Sequence, residues 1–116
     1  MSKKKVKVYH LIDQELYGSF CMDPDPYMAH KMFKAGNYEH VATILKSSTA
    51  TNDIDPRLNE AFNLTSDDGW QYRKEVQCTA LNPKNVRDTM MGDVLMLNRK
   101  IYLLDFKRWR NITNCY

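Results

Sequence analysis

The amino-acid sequence predicts an α+β domain with a small mixed or antiparallel sheet, two short helices and a C-terminal β-hairpin. Two observations carry this prediction. Runs of β-branched and aromatic residues, which are typical of strands, lie near the start, middle and end of the chain, at 6–12, 38–46 and 94–104. Between these runs, Asp25-Pro26 and Asp55-Pro56 have the cap-plus-proline pattern of a helix start.

The hairpin is predicted from two apolar runs, 94–97 and 101–104, that flank the polar stretch 98–100. Asn98 is the residue in that stretch best able to adopt a positive φ without being glycine. Gly92-Asp93 supplies the turn that precedes the first run. We expect the hairpin to occupy the centre of the sheet, with the helices covering it.

The first helix is predicted to begin at Pro26, with Asp25 as its cap, and to end at Gly36 in a left-handed conformation. Its apolar stripe comprises Met28, Ala29, Met32 and Phe33, whereas His30, Lys31 and Lys34 are expected to face water. The second helix is predicted from the apolar spacing of Leu58, Ala61 and Phe62.

The remaining segments give weaker signals. Residues 13–18 have the composition of a turn, and 19–22 can form a short strand. The polar run 47–53 predicts a surface loop. Residues 73–79 are predicted to form a strand with Val76 and Cys78 on one side, followed by the proline-containing connection 81–86 and, after the hairpin, a final segment at 106–112.

Length and composition predict one folded domain over residues 1–116, with residues 1–5 as a flexible basic lead. Apolar residues make up 43% and charged residues 27% of the chain, which excludes the composition of disordered proteins. The net charge is +3, with basic residues gathered at both ends. A pI of 8.7 lies below the value of about 9 that is typical of nucleic-acid domains.

The three cysteines, Cys21, Cys78 and Cys115, are odd in number and widely spaced, and no secretory signal precedes them. This pattern predicts reduced thiols and a cytoplasmic location, which is the host cytosol if a phage encodes the protein. No apolar run approaches the roughly 20 residues of a membrane span, so no membrane partner is expected.

Metal, cofactor and catalytic sites are not predicted. His10, His30 and His40 are not paired at helical spacing, and no cysteine lies at metal-finger distance from them. We expect His10 to be a half-buried strand residue and the other two histidines to be exposed. No cysteine lies in a context that activates a thiol, so the sequence predicts a protein that is not an enzyme.

The C-terminal segment alternates aromatic and cationic residues, a composition able to stack bases and neutralise phosphates. Its candidate binding residues are Lys107, Arg108, Trp109 and Arg110. The alternative is an edge strand whose charges prevent strand-to-strand aggregation. A second candidate surface combines exposed methionines with amphipathic aromatic residues and comprises Trp70, Tyr72, Met90 and Met91.

Residues 88–105 carry the phrase DTMMGDVLMLNRKIYLLD, which resembles the closing segment of YodL-like domains, small modules of phage and mobile-element proteins. The residues that fit the family pattern are Gly92, Asp93, Val94, Leu97, Tyr102 and Asp105. Upstream, KVYHLI, NYEHV and LNEAFN occur in the order of that family's opening strand, Tyr-containing strand and short helix. Asp88 and Met90 stand where the family has serines, and its closing Gly-Phe is missing.

The resemblance implies an accessory protein of a phage or mobile element, with counter-defence as its use. Our leading hypothesis is therefore a non-enzymatic module that binds a host protein or assembles with itself as a homo-oligomer. The alternatives are nucleic-acid binding through the basic aromatic C-terminal segment and sequestration of a small nucleotide-like ligand.

Overall fold

The computed structural model describes residues 5–12, 25–45, 53–105 and 108–113. Within these residues, two α-helices pack on one antiparallel six-stranded sheet, which confirms the predicted α+β class. The elements are β1 (Lys7–Leu11), α1 (Pro26–Lys34), β2 (Tyr38–Ile44), α2 (Ile54–Leu64), β3 (Val76–Cys78), β4 (Val94–Leu97), β5 (Lys100–Asp105) and β6 (Arg108–Asn111). The strand order is β3-β2-β1-β4-β5-β6. The predictions for 1–4 and 13–22, and nearly all of the predicted loop 47–53, lie outside the described residues.

The central strands are buried on both faces of the sheet. In β1, Val8 and Leu11 point to opposite faces of the sheet, because an odd number of positions separates them. Both are buried, as expected for a strand between two packed layers. A β-bulge in β2 shifts the register, because Val8 pairs with Ala42 whereas Tyr9 pairs with His40. On the other side of β2, the carbonyl of Val41 accepts the N–H of Thr79 at 2.8 Å, in register with the β2–β3 pairing.

The predicted hairpin is formed by β4 and β5, with a turn shorter than expected. Leu97 pairs with Lys100, so the turn contains two residues, Asn98 and Arg99, whose φ angles are 56° and 66°. Two positive φ angles in a two-residue loop are the pattern of the type I′ turn, whose twist matches that of the strands. The predicted central position holds for β4, whereas β5 lies next to the edge strand β6.

Helix α1 begins as predicted. The Asp25 carboxylate accepts the N–H of Tyr27 at 2.9 Å, and Gly36, with a φ of 81°, follows the helix end. The prediction that His30 and His40 are exposed was wrong: His30 is buried, with Nδ1 2.7 Å from the carbonyl of Ile112, and His40 is half-buried. Ile112, the residue after β6, packs in the core beneath α1, which the local sequence of the helix cannot reveal.

Helix α2 begins at Ile54, with Asp53 in the cap position, so Pro56 is its third residue and not its first. Leu58 and Ala61 are buried against the sheet, as their spacing predicts.

Two core clusters lie on opposite faces of the sheet. The first lies under α2 and contains Val6, Val8, Leu58, Ala61, Trp70, Leu95 and Tyr102, among others. The second lies under α1 and contains Leu11, Ala29, Met32, Val94, Leu103 and Ile112, among others. The strand β1 contributes to both clusters and ends at the polar groups described next.

Candidate functional site

Asp93 is the centre of a buried polar cluster at the end of β1. Its side chain is 0% exposed, although Gly92-Asp93 has the composition of a surface turn. The guanidinium of Arg87 donates to both carboxylate oxygens, with Nη1–Oδ2 and Nη2–Oδ1 distances of 2.7 Å. The N–H groups of Leu11 and Met90 donate to the same carboxylate at 3.1 and 2.8 Å. A buried carboxylate with this many donors is held in one orientation.

Arg87 connects three parts of the chain. Besides the ion pair, Nη2 donates to the carbonyl of Leu11 at 3.3 Å and Nη1 to that of Asp88 at 3.0 Å. Its own carbonyl accepts the indole N–H of Trp70 at 3.1 Å. The residues between β3 and β4 are therefore fixed to the end of β1 and to the core.

His10 begins a chain of hydrogen bonds that runs from β1 to α2. Its Nε2 lies 2.9 Å from the hydroxyl of Thr89, which donates to the hydroxyl of Thr65 at 2.8 Å. Thr65 in turn donates to the helix carbonyl of Ala61 at 2.8 Å. Burial lowers the pKa of His10 to about 4, against the opposing effect of Asp93, and Arg87 lowers it further. The ring is consequently neutral near pH 7.

A cleft of about 210 Å³ opens beside this cluster, between the end of β1, the start of β2 and the 80–87 segment. We name it the β1-end cleft. Its polar lining comprises His10, Glu39, Asn82, Asn85 and Arg87, and Ile12 forms part of its apolar lining. His10 and Glu39 are paired directly across β1 and β2, so their side chains emerge on the same face.

The 79–87 segment beside the cleft has little regular structure, yet hydrogen bonds fix it at several points. The Thr79 hydroxyl donates to the carbonyl of His40 at 2.7 Å, and the N–H of Leu81 donates to Glu39 Oε2 at 2.6 Å. The Gln71 amide donates to the carbonyl of Pro83 at 3.0 Å. The side chain of Leu81 is nevertheless 91% exposed. The structure thus holds an apolar side chain in solvent on a fixed backbone.

The predicted patch of methionines and aromatics is not formed as expected. Trp70 is 1% exposed and packs edge-to-face on His10 at a centroid distance of 6.1 Å, so its assignment to a contact surface was wrong. Its size and its indole N–H suit a buried site with a carbonyl partner. Tyr72 and Met90 are exposed, and Met91 is half-buried.

The C-terminal candidates lie at the sheet edge. Trp109 donates its indole N–H to Asn59 Oδ1 at 2.9 Å and packs edge-to-face on Phe62 at 6.4 Å, so one side of its ring is engaged by α2. Arg110 is exposed on β6, the last strand of the sheet. Lys107 and the side chain of Arg108 lie outside the described residues. This position at the sheet edge is the one required by the alternative, in which the charges of β6 prevent strand-to-strand aggregation.

Sequence reasoning missed the residues that line the cleft, Glu39, Asn82, Asn85 and Arg87. It also missed Leu81 and Asp93, which are hydrogen-bonded to Glu39 and Arg87 respectively. The signal for this cluster in the sequence was the pair of opposite charges, Arg87 and Asp93, six residues apart around a turn.

Comparison of the chain with protein families, with curated proteins and with solved structures gives no significant match. Within the described ranges, neither helix has the length and apolar character needed to cross a bilayer.

Proposed function

We propose that this protein is a non-enzymatic protein-binding module, and that it contacts its partner through Leu81 and the β1-end cleft. The observation that carries the proposal is the exposed Leu81 side chain on a backbone held by the carboxylate of Glu39. Full burial of a leucine stabilises a complex by about 2 kcal/mol. Because the backbone at Leu81 is already fixed, little conformational entropy is lost there when the partner binds.

The surroundings of Leu81 have the composition of an interface. Ile12, at the end of β1, is 52% exposed and borders the same cleft. The side-chain amides of Asn82 and Asn85 provide both donors and acceptors, which suits recognition of peptide groups. An apolar anchor beside a small polar recess matches the arrangement of binding hot spots.

Several features favour binding over catalysis. Both oxygens of Asp93 already accept hydrogen bonds from Arg87 and from backbone N–H groups, so this pair acts as a scaffold. The cleft volume of about 210 Å³ lies below the roughly 300 Å³ at which sites for drug-sized ligands begin. It suits one side chain of a partner better than a nucleotide.

The resemblance to YodL-like domains supports the biological part of the proposal. On that ground we propose an accessory protein of a phage or mobile element that binds a host protein in the host cytosol, with counter-defence as its role. Self-assembly is the other form of protein binding that the same surface permits.

A capture experiment tests the proposal. Tagged wild-type protein and its Leu81→Asp variant are exposed to host lysate, and the matched control is Tyr27→Asp, because Tyr27 is 58% exposed on α1. We expect a partner retained by the wild type and the control but lost by Leu81→Asp. Equal capture by all three proteins contradicts the proposal. A mass from light scattering shows whether the partner is a second copy.

A further inference from the structure

The hydrogen-bond chain determines which nitrogen of His10 carries its proton. Each threonine hydroxyl has one proton to donate. Thr65 donates its proton to the carbonyl of Ala61, and Thr89 donates its proton to Thr65. Thr89 can therefore only accept from His10, so the neutral ring carries its proton on Nε2. The lone pair is then on Nδ1.

Nδ1 of His10 is open to the cleft. No hydrogen bond to this atom is found from any part of the chain that the structure describes. Nor is it among the buried polar atoms without a partner, although the whole residue is only 4% exposed. Since His10 lines the β1-end cleft, its remaining accessible polar atom presents an acceptor there.

The charges around the cleft favour a cationic group. Glu39 lies beside His10 across the strand pair, and its carboxylate accepts the N–H of Leu81 through Oε2. The positive charge of Arg87 is matched by Asp93 at 2.7 Å. Of the charged groups that line the cleft, only Glu39 is therefore not balanced by another in the described residues.

We propose that the β1-end cleft receives the ammonium group of a lysine side chain from the partner protein. This inference rests on the proposed function. The ammonium donates to Nδ1 of His10 and to the Glu39 carboxylate, while the lysine methylenes pass along the apolar part of the lining at Ile12. The fork of an arginine guanidinium pairs best with both oxygens of a carboxylate, and Oε2 of Glu39 already accepts the Leu81 N–H. The compact ammonium of lysine, with three rotatable donors, does not need both oxygens.

The first test observes His10 directly. The ¹⁵N resonances of the imidazole ring are followed by NMR while N-acetyl-lysine methylamide is titrated into the protein, with the norleucine and arginine analogues as controls. We expect a saturable shift of the Nδ1 resonance with the lysine compound, a smaller one with the arginine compound and none with norleucine. Absence of a lysine response, or an equal response to norleucine or arginine, overturns the assignment.

The second test uses the captured partner and the variant Glu39→Gln, which removes the charge but keeps an oxygen that can accept the Leu81 N–H. Glu75→Gln, just before β3, is the matched control. We expect Glu39→Gln to weaken binding about tenfold or more and Glu75→Gln to leave it unchanged. If Leu81→Asp abolishes binding but Glu39→Gln does not alter it, this inference fails and the proposed function stands.

Discussion

Arg87 and Asp93 form a two-pronged ion pair, with both nitrogen–oxygen distances at 2.7 Å, in which the carboxylate is wholly buried and the guanidinium partly so. The pair joins the irregular segment that carries Leu81 to the β-hairpin, and the carbonyl of Leu11 attaches both to β1. Stability and the shape of the proposed contact surface therefore depend on the same two residues.

Asp93→Asn should lower the free energy of unfolding by about 3 to 5 kcal/mol, because it removes the charged partner of a buried ion pair. Urea denaturation followed by circular dichroism measures this loss.

The control for Asp93→Asn is Asp67→Asn, which breaks the exposed ion pair between Asp67 and Arg73, 3.1 Å apart. Exposed pairs contribute about 0 to 1 kcal/mol. If both variants lost a similar free energy of unfolding, the buried pair would stabilise the fold no more than an exposed pair does.

Stability should fall as the pH drops from 6.5 toward 4. The folded-state pKa of His10 is lowered to about 4, below its ordinary value of 6.5, so the unfolded chain binds more protons within this window. At 1.36 kcal/mol per pH unit, the resulting loss approaches about 3 kcal/mol. Below pH 4 both states are protonated and this contribution no longer changes.

The measurement is the free energy of unfolding between pH 4 and pH 7 for the wild type and for His10→Gln, whose amide can still donate to Thr89. The difference between the two curves isolates His10 from His40, whose pKa burial also lowers. We expect a shallower pH dependence for the variant. An NMR titration that places the His10 pKa near 6.5 would show that burial does not lower it.

Arg99→Gly should stabilise the β4–β5 hairpin by about 1 kcal/mol, because Arg99 has a φ of 66°, a conformation costly for a side chain with a Cβ. The comparison is Lys100→Gly, one residue later and within β5, which should destabilise by about 0.5 to 1 kcal/mol. Thermal melts measure both effects: the melting temperature should rise for Arg99→Gly and fall for Lys100→Gly.

Trp109→Phe should cost about 1 kcal/mol by removing the hydrogen bond to Asn59 while keeping the packing on Phe62. Asn59→Ala should cost a similar amount, and the double variant should add little to either. A double-mutant cycle measures this coupling. Additive losses would mean that the two side chains do not interact in solution, and that Trp109 is available to a ligand.

The strands and helix starts could be predicted because their signals are local. Each of these signals depends only on neighbours in the sequence. They are the β-branched and aromatic residues of β1, the Asp25-Pro26 pair that begins α1 and the apolar runs on either side of Asn98. The turn at Asn98 was predicted one residue too long, since Arg99 adopts a positive φ that its side chain does not favour.

The candidate site could not be predicted because long-range contacts create it. Leu81 follows no helical or strand period, and it remains exposed because Glu39, 42 residues earlier, fixes its backbone. Asp93 is buried because Arg87 and the N–H of Leu11 satisfy its carboxylate. A polar residue after a glycine is ordinarily a surface residue, so its local sequence gives the opposite expectation.

The most direct test of the proposed contact surface is amide hydrogen exchange on this protein, alone and bound to its captured partner. We expect new protection to be concentrated in residues 79–87 and at Ile12, beside the β1-end cleft. Protection confined to 108–113, with 79–87 unchanged, would contradict it and would place the contact on the basic edge strand β6.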